Sequence, residues 1–386
     1  VSTVLDEALL EDTGRLLDTD RAGLLRAAAT AGAQVRATWA AAAEAGVGPQ
    51  GVLDGLRPRA LVLLARAGTE HSEARLVAAL LAPTCPCPVV VTEVAPPWLG
   101  PLDVVVVSHR GSDQDPADAQ VAEAVDRAVR RSAHVVLTGP ADGPAPAAAA
   151  GRAMQVVPRI PGLEGLSTAT DLAATLATTR ALGLLEVDGE ALADRLDDEA
   201  ERSGPRHEAF VAPAKALALR FAEHTPVLWG TDPVATALAG YGAVVLAAHA
   251  GVVAHAGPLS GAASVPALAA RLEAGGAADS IFADPFDDPV DEGPPPRLAV
   301  VTVREDLGTR RLASDALRRW PAADVLELDD ADLAGETPGH DAVRAGVLSL
   351  RLDLAALYLG LATGVTGAGV GVGGDDTAAR PGVGAG

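Results

Sequence analysis

Ala60 to Ala65 is an unbroken apolar run, Ala-Leu-Val-Leu-Leu-Ala, short enough for one buried strand. Gly68 and Thr69 punctuate it, and beyond them Leu76, Val77, Leu80 and Leu81 fall at helical spacing. The order is strand, tight turn, helix. In a parallel sheet such a turn lies at the carboxyl edge of the strands, where open α/β folds bind ligands. The helix start there offers free N–H groups and a positive dipole end to an anion.

The unit recurs along the chain. Pro86 to Thr92 reads as a second strand, Asp103 to Ser108 as a third, Ala133 to Thr138 as a fourth and Met154 to Pro158 as a fifth. Helices are expected over Arg21 to Gly46, Pro116 to Ser132 and Ser167 to Leu185. The pattern then restarts: a helix at Ala214 to Glu223, a strand at Pro226 to Gly230 and a helix at Val234 to His249. Strands at Arg297 to Val303 and Asp324 to Leu328 follow, with helices at Leu312 to Trp320 and Val343 to Leu361. Alternation of this kind predicts an α/β protein of two tandem units, each a parallel sheet flanked by helices. The expected organisation is an N-terminal arm over 1–22, a first domain over 23–185, an acidic linker helix over 186–204 and a second domain over 205–365. Gly275 to Pro296 reads as an acidic surface loop, and a Gly/Ala-rich tail over 366–386 reads as disordered.

Charge narrows the choice of partners. The net charge of −21 argues against nucleic acid and against an anionic membrane surface. No stretch reads as a membrane span or signal peptide, so a cytoplasmic location is expected. Cys85 and Cys87 are the only cysteines and read as reduced thiols in a packed turn, poorly placed to bridge each other. No P-loop, zinc spacing or Ser-His-Asp arrangement stands out, so neither a cofactor nor a metal is expected.

The tandem units, the Gly-Thr turn and the Val-Val-Ser end of the third strand combine with a final helix reading Leu348-Ser349-Leu350 through Ala356-Leu357-Tyr358-Leu359-Gly360-Leu361. Together they resemble sugar isomerase (SIS) domain proteins, and among them the bifunctional phosphoglucose/phosphomannose isomerases. The resemblance covers about Arg21 to Val365. It implies a homodimer that binds a sugar phosphate, or a related small anionic metabolite, through hydroxyls on two loops of the first unit. The first loop, Gly-x-Gly-Gly-Ser in the family, falls on Arg66-Ala67-Gly68-Thr69-Glu70. Glu70 stands where the phosphate-binding serine is expected, and a carboxylate there repels a phosphate. The second loop falls on Ser108 to Pro116, keeping Ser108 and Gly111 and carrying Arg110, Ser112 and Asp113 in place of a serine, an asparagine and a threonine. Arg110 is open to two roles, a charged fork for phosphate or a salt-bridge partner of Asp113 or Asp115. Candidate ligand-binding residues are thus Gly68, Thr69, Ser72, Ser108, Arg110, Gly111 and Ser112. His71, beside Glu70 and Glu73, is open to two readings, a metal or acid/base site or a polar residue on an exposed first turn, and the second is favoured.

The family's isomerisation needs a carboxylate and a histidine poised near neutral pH. The stretch aligned with that segment, Ala254 to Pro266, has no carboxylate. His255 is the one catalytic candidate there, and it also reads as a loop or interface residue. Two functions are consistent with the sequence. One is a sugar-phosphate-binding protein of the phosphoglucose/phosphomannose isomerase-like group with isomerase activity weak or lost. The other is a non-enzymatic dimeric scaffold or metabolite sensor.

Overall fold

The computed structural model describes residues 5–163, 165–278, 294–328 and 339–366. Most of the expected acidic loop, and the tail from 367 onward, lie outside them. The first sheet holds five parallel strands in the order β2-β1-β3-β4-β5: β1 (Ala60–Leu64), β2 (Val89–Thr92), β3 (Asp103–Ser108), β4 (His134–Thr138) and β5 (Met154–Val156). The second holds, among the described residues, four in the order β7-β6-β8-β9: β6 (Thr225–Gly230), β7 (His255–Pro258), β8 (Pro296–Val301) and β9 (Asp324–Leu326). The second order repeats the first four strands of the first sheet, so the chain is a tandem of two like-wound parallel units.

Alternation along the strands decides what lies between the sheets. Leu61, Leu63, Val104 and Val106 face one core, and Val62, Leu64, Val105 and Val107 face another. In the second sheet Leu228, Ala299 and Val301 join that first core, while Val227, Trp229, Leu298 and Val300 face outward. The strands are apolar on both faces because both faces are covered. The shared core is a helical layer between the sheets, built from Ala31–Glu44, Thr69–Leu81, Thr168–Ala181, Gly189–Arg202, Pro213–Phe221, Pro233–Ala250 and His340–Ala362.

Two of these helices, Pro233–Ala250 and His340–Ala362, are long and apolar enough to cross a membrane, contrary to the sequence reading. The apolar window of His340–Ala362 is wholly buried inside the protein. A helix covered on every side carries no polar face, so a central core helix passes the same test as a span.

Other differences have local causes. The helix expected over Arg21 to Gly46 is two, Leu24–Ala29 and Ala31–Glu44. At the break the Thr30 hydroxyl donates to the Ala27 carbonyl at 2.8 Å, a side-chain bond that competes with the helix ladder. The acidic stretch is the helix Gly189–Arg202, and only its outer face is solvated. Leu192, Ala193 and Leu196 are buried, and Glu199 receives a two-point bond from Arg351 at 2.8 and 2.7 Å. At the amino end, Leu9, Leu10 and Leu16 join the core. Lys215, the only lysine, is buried and donates to the carbonyls of Leu10, Pro205 and His207, which pins these segments together.

Candidate ligand clefts

Each sheet has a carboxyl edge, and the helix Thr69–Leu81 has a polar stripe for each. Glu70 and Glu73 share one stripe and are buried at the end of the first sheet. Ser72, Arg75 and Ala79, spaced three and four apart, form the other stripe and face the second sheet.

At the first sheet the anion site is already occupied by the protein's own carboxylates. Gly68 starts the helix with φ of 99° and no side-chain cap. Arg66, just before it, pairs with Glu70 and reaches Asp115 at 3.0 Å. Arg110 pairs with Glu70 and with Asp171 at 2.7 Å, and also contacts the Ser167 hydroxyl. Burial alone would raise the Asp171 carboxyl. The Arg110 charge and its hydrogen bond, with bonds from Ser167 and Ser108, outweigh that and hold it below the usual carboxylate range. Burial, followed by the charges of Asp171 and Glu70, pushes Glu73 well above that range.

The loop after β3 is filled in the same way. Asp118, fully buried, accepts the Arg110 backbone N–H at 3.0 Å and the Ser112 N–H at 2.7 Å. These are the kind of loop N–H groups that a bound phosphate would use, and an internal carboxylate takes them. Asp113, expected beside Arg110, is exposed, and Asp115 pairs with Arg66; Glu70 and Asp171 supply the acids on Arg110 instead. The space left beside Ser108, Glu70, Glu73, Asp171 and Thr175 is about 30 Å³, room for water and not for a sugar.

The second cleft is open. It measures about 700 Å³, within the range of small-molecule sites. Its walls are Ser72 and Arg75 from the first unit, Gly230 to Pro233 and Thr236 from the end of β6 and the following helix, and Ala256 to Pro258 with Ser260 from β7 and beyond. Gly230 lets the helix start come close: a Cβ there would stand 2.1 Å from the Thr236 nitrogen. Asp232 caps this helix, accepting from the N–H groups of Val234 and Ala235 at 2.8 and 3.1 Å. Arg75 is exposed, and its guanidinium makes no ion pair or hydrogen bond among the described residues. The Ser72 and Ser260 hydroxyls likewise have no partner among them.

The candidates from sequence therefore separate. Gly68, Thr69, Ser108, Arg110, Gly111 and Ser112 lie on the two loops of the first sheet, and Ser72 faces the second cleft. His255 opens β7, exposed, with its Nδ1 accepting from Trp229 Nε1 at 3.2 Å, and it does not line the cleft. The stretch Ala254 to Pro266 that aligns with the family's catalytic segment is an edge strand followed by a 3₁₀ turn, Leu259–Ser264. Asp171, Asp118, Ser167 and Arg75 were missed. Ser72 and Arg75, at i and i+3 beside the Glu70 and Glu73 pair, carried the one usable signal, two polar stripes on one helix.

Superposition over most of the chain on solved structures decides the comparison. The fold is that of the sugar isomerase proteins. The C-terminal domain of glucosamine-fructose-6-phosphate aminotransferase from Francisella tularensis superposes with a TM-score of 0.58 at 14% identity, over 88% of this chain and 96% of that one. Tagatose-6-phosphate ketose/aldose isomerase from Escherichia coli gives 0.58 at 16% identity, over 89% and 92%. A glucose-6-phosphate isomerase like protein from Thermus thermophilus gives 0.50 at 18% identity, over 93% and 94%. No family model matches the sequence, and no curated protein matches it significantly. At these identities the likeness is one of fold.

Proposed function

We propose that this chain is a binding protein for a sugar phosphate or a related small anionic metabolite, that it does not isomerise its ligand, and that the ligand sits in the second cleft. The carrying observation is the contrast between two arginines. Arg110 in the first cleft is neutralised by Glu70 and Asp171, whereas Arg75 faces a cleft of about 700 Å³ with no partner among the described residues. A dianion entering the first cleft must displace two carboxylates from Arg110. In the second it meets a free guanidinium with the hydroxyls of Ser72 and Ser260 beside it, and charge-assisted bonds to such groups are the strong ones.

The chemistry is limited to binding by what else lines the cleft. Aldose–ketose exchange needs a base to move a proton between adjacent carbons. Among the described lining residues Asp232 is the only acid; its Oδ1 caps the helix while its buried Oδ2 has no partner among the described residues, and no histidine lines the cleft to share a proton transfer with it. On this reading the chain is a catalytically silent relative of the phosphoglucose/phosphomannose isomerase-like group that acts as a homodimer.

The test is a coupled isomerase assay with fructose 6-phosphate and mannose 6-phosphate, with thermal shift on the same samples. A ligand-dependent rise in Tm without turnover supports the reading. Turnover above background overturns the silent assignment. No shift with either sugar phosphate or with inorganic phosphate favours the scaffold, for which the closed first cleft is the supporting observation.

A further inference from the structure

The helix that walls the second cleft ends in a turn carrying both cysteines of the chain. The Cys85 N–H closes the helix Thr69–Leu81 by donating to the Leu81 carbonyl at 2.9 Å. The backbone then bends at Pro86 and Cys87 before β2 begins. This bend turns the two side chains toward each other, with their sulfurs 3.7 Å apart. Sequence spacing alone suggests that they are poorly placed to bridge; the bend is what changes that. Both residues are half-buried, so a small oxidant reaches them.

We propose that Cys85 and Cys87 form a reversible disulfide across Pro86 when the protein meets a peroxide. The inference is independent of the ligand reading above. Since the chain has only these two cysteines, no other thiol within one molecule competes for the bond.

The surroundings of the two thiols divide the work between them. The Cys87 thiol is pushed up to about 11 by burial and by the hydrogen bond and charge of Cys85, with a backbone bond from Leu61 working the other way. Cys87 thus gives up its proton reluctantly. Cys85 is the first nucleophile. Its thiolate attacks one oxygen of hydrogen peroxide, the O–O bond breaks, and the departing hydroxide takes up a proton to leave as water, giving a sulfenic acid on Cys85. Cys87 then loses its proton as its sulfur attacks the Cys85 sulfur. The S–O bond breaks, and the hydroxyl leaves with that proton as a second water. Two thiols have been oxidised by two electrons and one peroxide reduced by two. A dithiol reductant reverses the bond by exchange.

The bond ties the carboxyl end of the cleft-lining helix to the approach to β2, whose residues are only half-buried. Oxidation is therefore expected to slow amide hydrogen exchange over Val89–Thr92.

The test treats the full-length folded protein with stoichiometric hydrogen peroxide and reads intact mass. The expected result is loss of two hydrogens, complete recovery with dithiothreitol, and no loss in Cys85→Ser or Cys87→Ser. A sulfenic-acid trap such as dimedone should label Cys87→Ser, which retains Cys85, several-fold faster than Cys85→Ser. Addition of oxygen atoms to the wild-type protein without loss of hydrogens overturns the proposal, as does a disulfide that links two chains. Equal trapping of the two variants overturns the assignment of Cys85 as the first nucleophile.

Discussion

Arg110 and Asp171 meet at 2.7 Å across the carboxyl edge of the first sheet, on the loop after β3 and the helix Thr168–Ala181. Glu70 holds the same guanidinium from the helix after β1. Three elements that would otherwise frame an anion site are thereby drawn together around an internal cation. Removing the arginine strands a buried carboxylate that is ionised because of it. Arg110→Ala should lower stability by about 3 kcal/mol, read as a shift in the denaturant midpoint. Arg110→Lys, which keeps the charge and loses the fork, should recover only part of that.

Freeing the first cleft should restore its affinity for anions. Glu70→Ser removes one of the two carboxylates on Arg110 and supplies a hydroxyl. Made together with Arg75→Ala, so that the second cleft is silent, it should give a Tm that rises with inorganic phosphate, whereas Arg75→Ala alone should give none.

The fold was legible in the sequence to a greater depth than the site. Valine runs such as Asp103–Ser108 announced strands because a parallel strand is apolar on both faces. Periodicity does not say which sheet a residue faces, and so the division of the helix Thr69–Leu81 into a Glu70 stripe and an Arg75 stripe stayed hidden. Local comparison of the two loops located Ser108 and Arg110. Asp171 lies 61 residues beyond Arg110, within a segment that reads only as a closing helix. The Ala254 to Pro266 stretch gave no strand because Gly, Ala and Pro carry little strand signal, and β7 forms as an edge supported by β6.

Asp353 carries a pH dependence. It is buried, and burial raises its carboxyl to about 7 against a hydrogen bond from Tyr241 at 2.5 Å that lowers it. The unfolded chain gives up this proton near 3.8, so between there and about 7 the folded state holds a proton that the unfolded state has lost. This group's contribution to stability therefore falls as pH rises through that window and levels off above it. Asp353→Asn should flatten the window and be more stable than wild type at pH 8 by on the order of 2 kcal/mol, read from denaturation at a series of pH values.

Lys215 should behave as a structural pin. Its ammonium serves carbonyls of Leu10, Pro205 and His207, and burial lowers its pKa. Lys215→Met leaves those acceptors without their donor and should cost about 2 kcal/mol. Limited proteolysis should then cut the segment before Leu24 faster than in wild type.

The most direct measurement is calorimetric titration of fructose 6-phosphate into the wild type, Arg75→Ala and Ser108→Ala. The expected result is wild-type binding retained in Ser108→Ala and weakened about tenfold or more in Arg75→Ala, the loss of a charge-assisted contact. Binding that survives Arg75→Ala and is lost in Ser108→Ala would place the ligand in the first cleft and contradict the account.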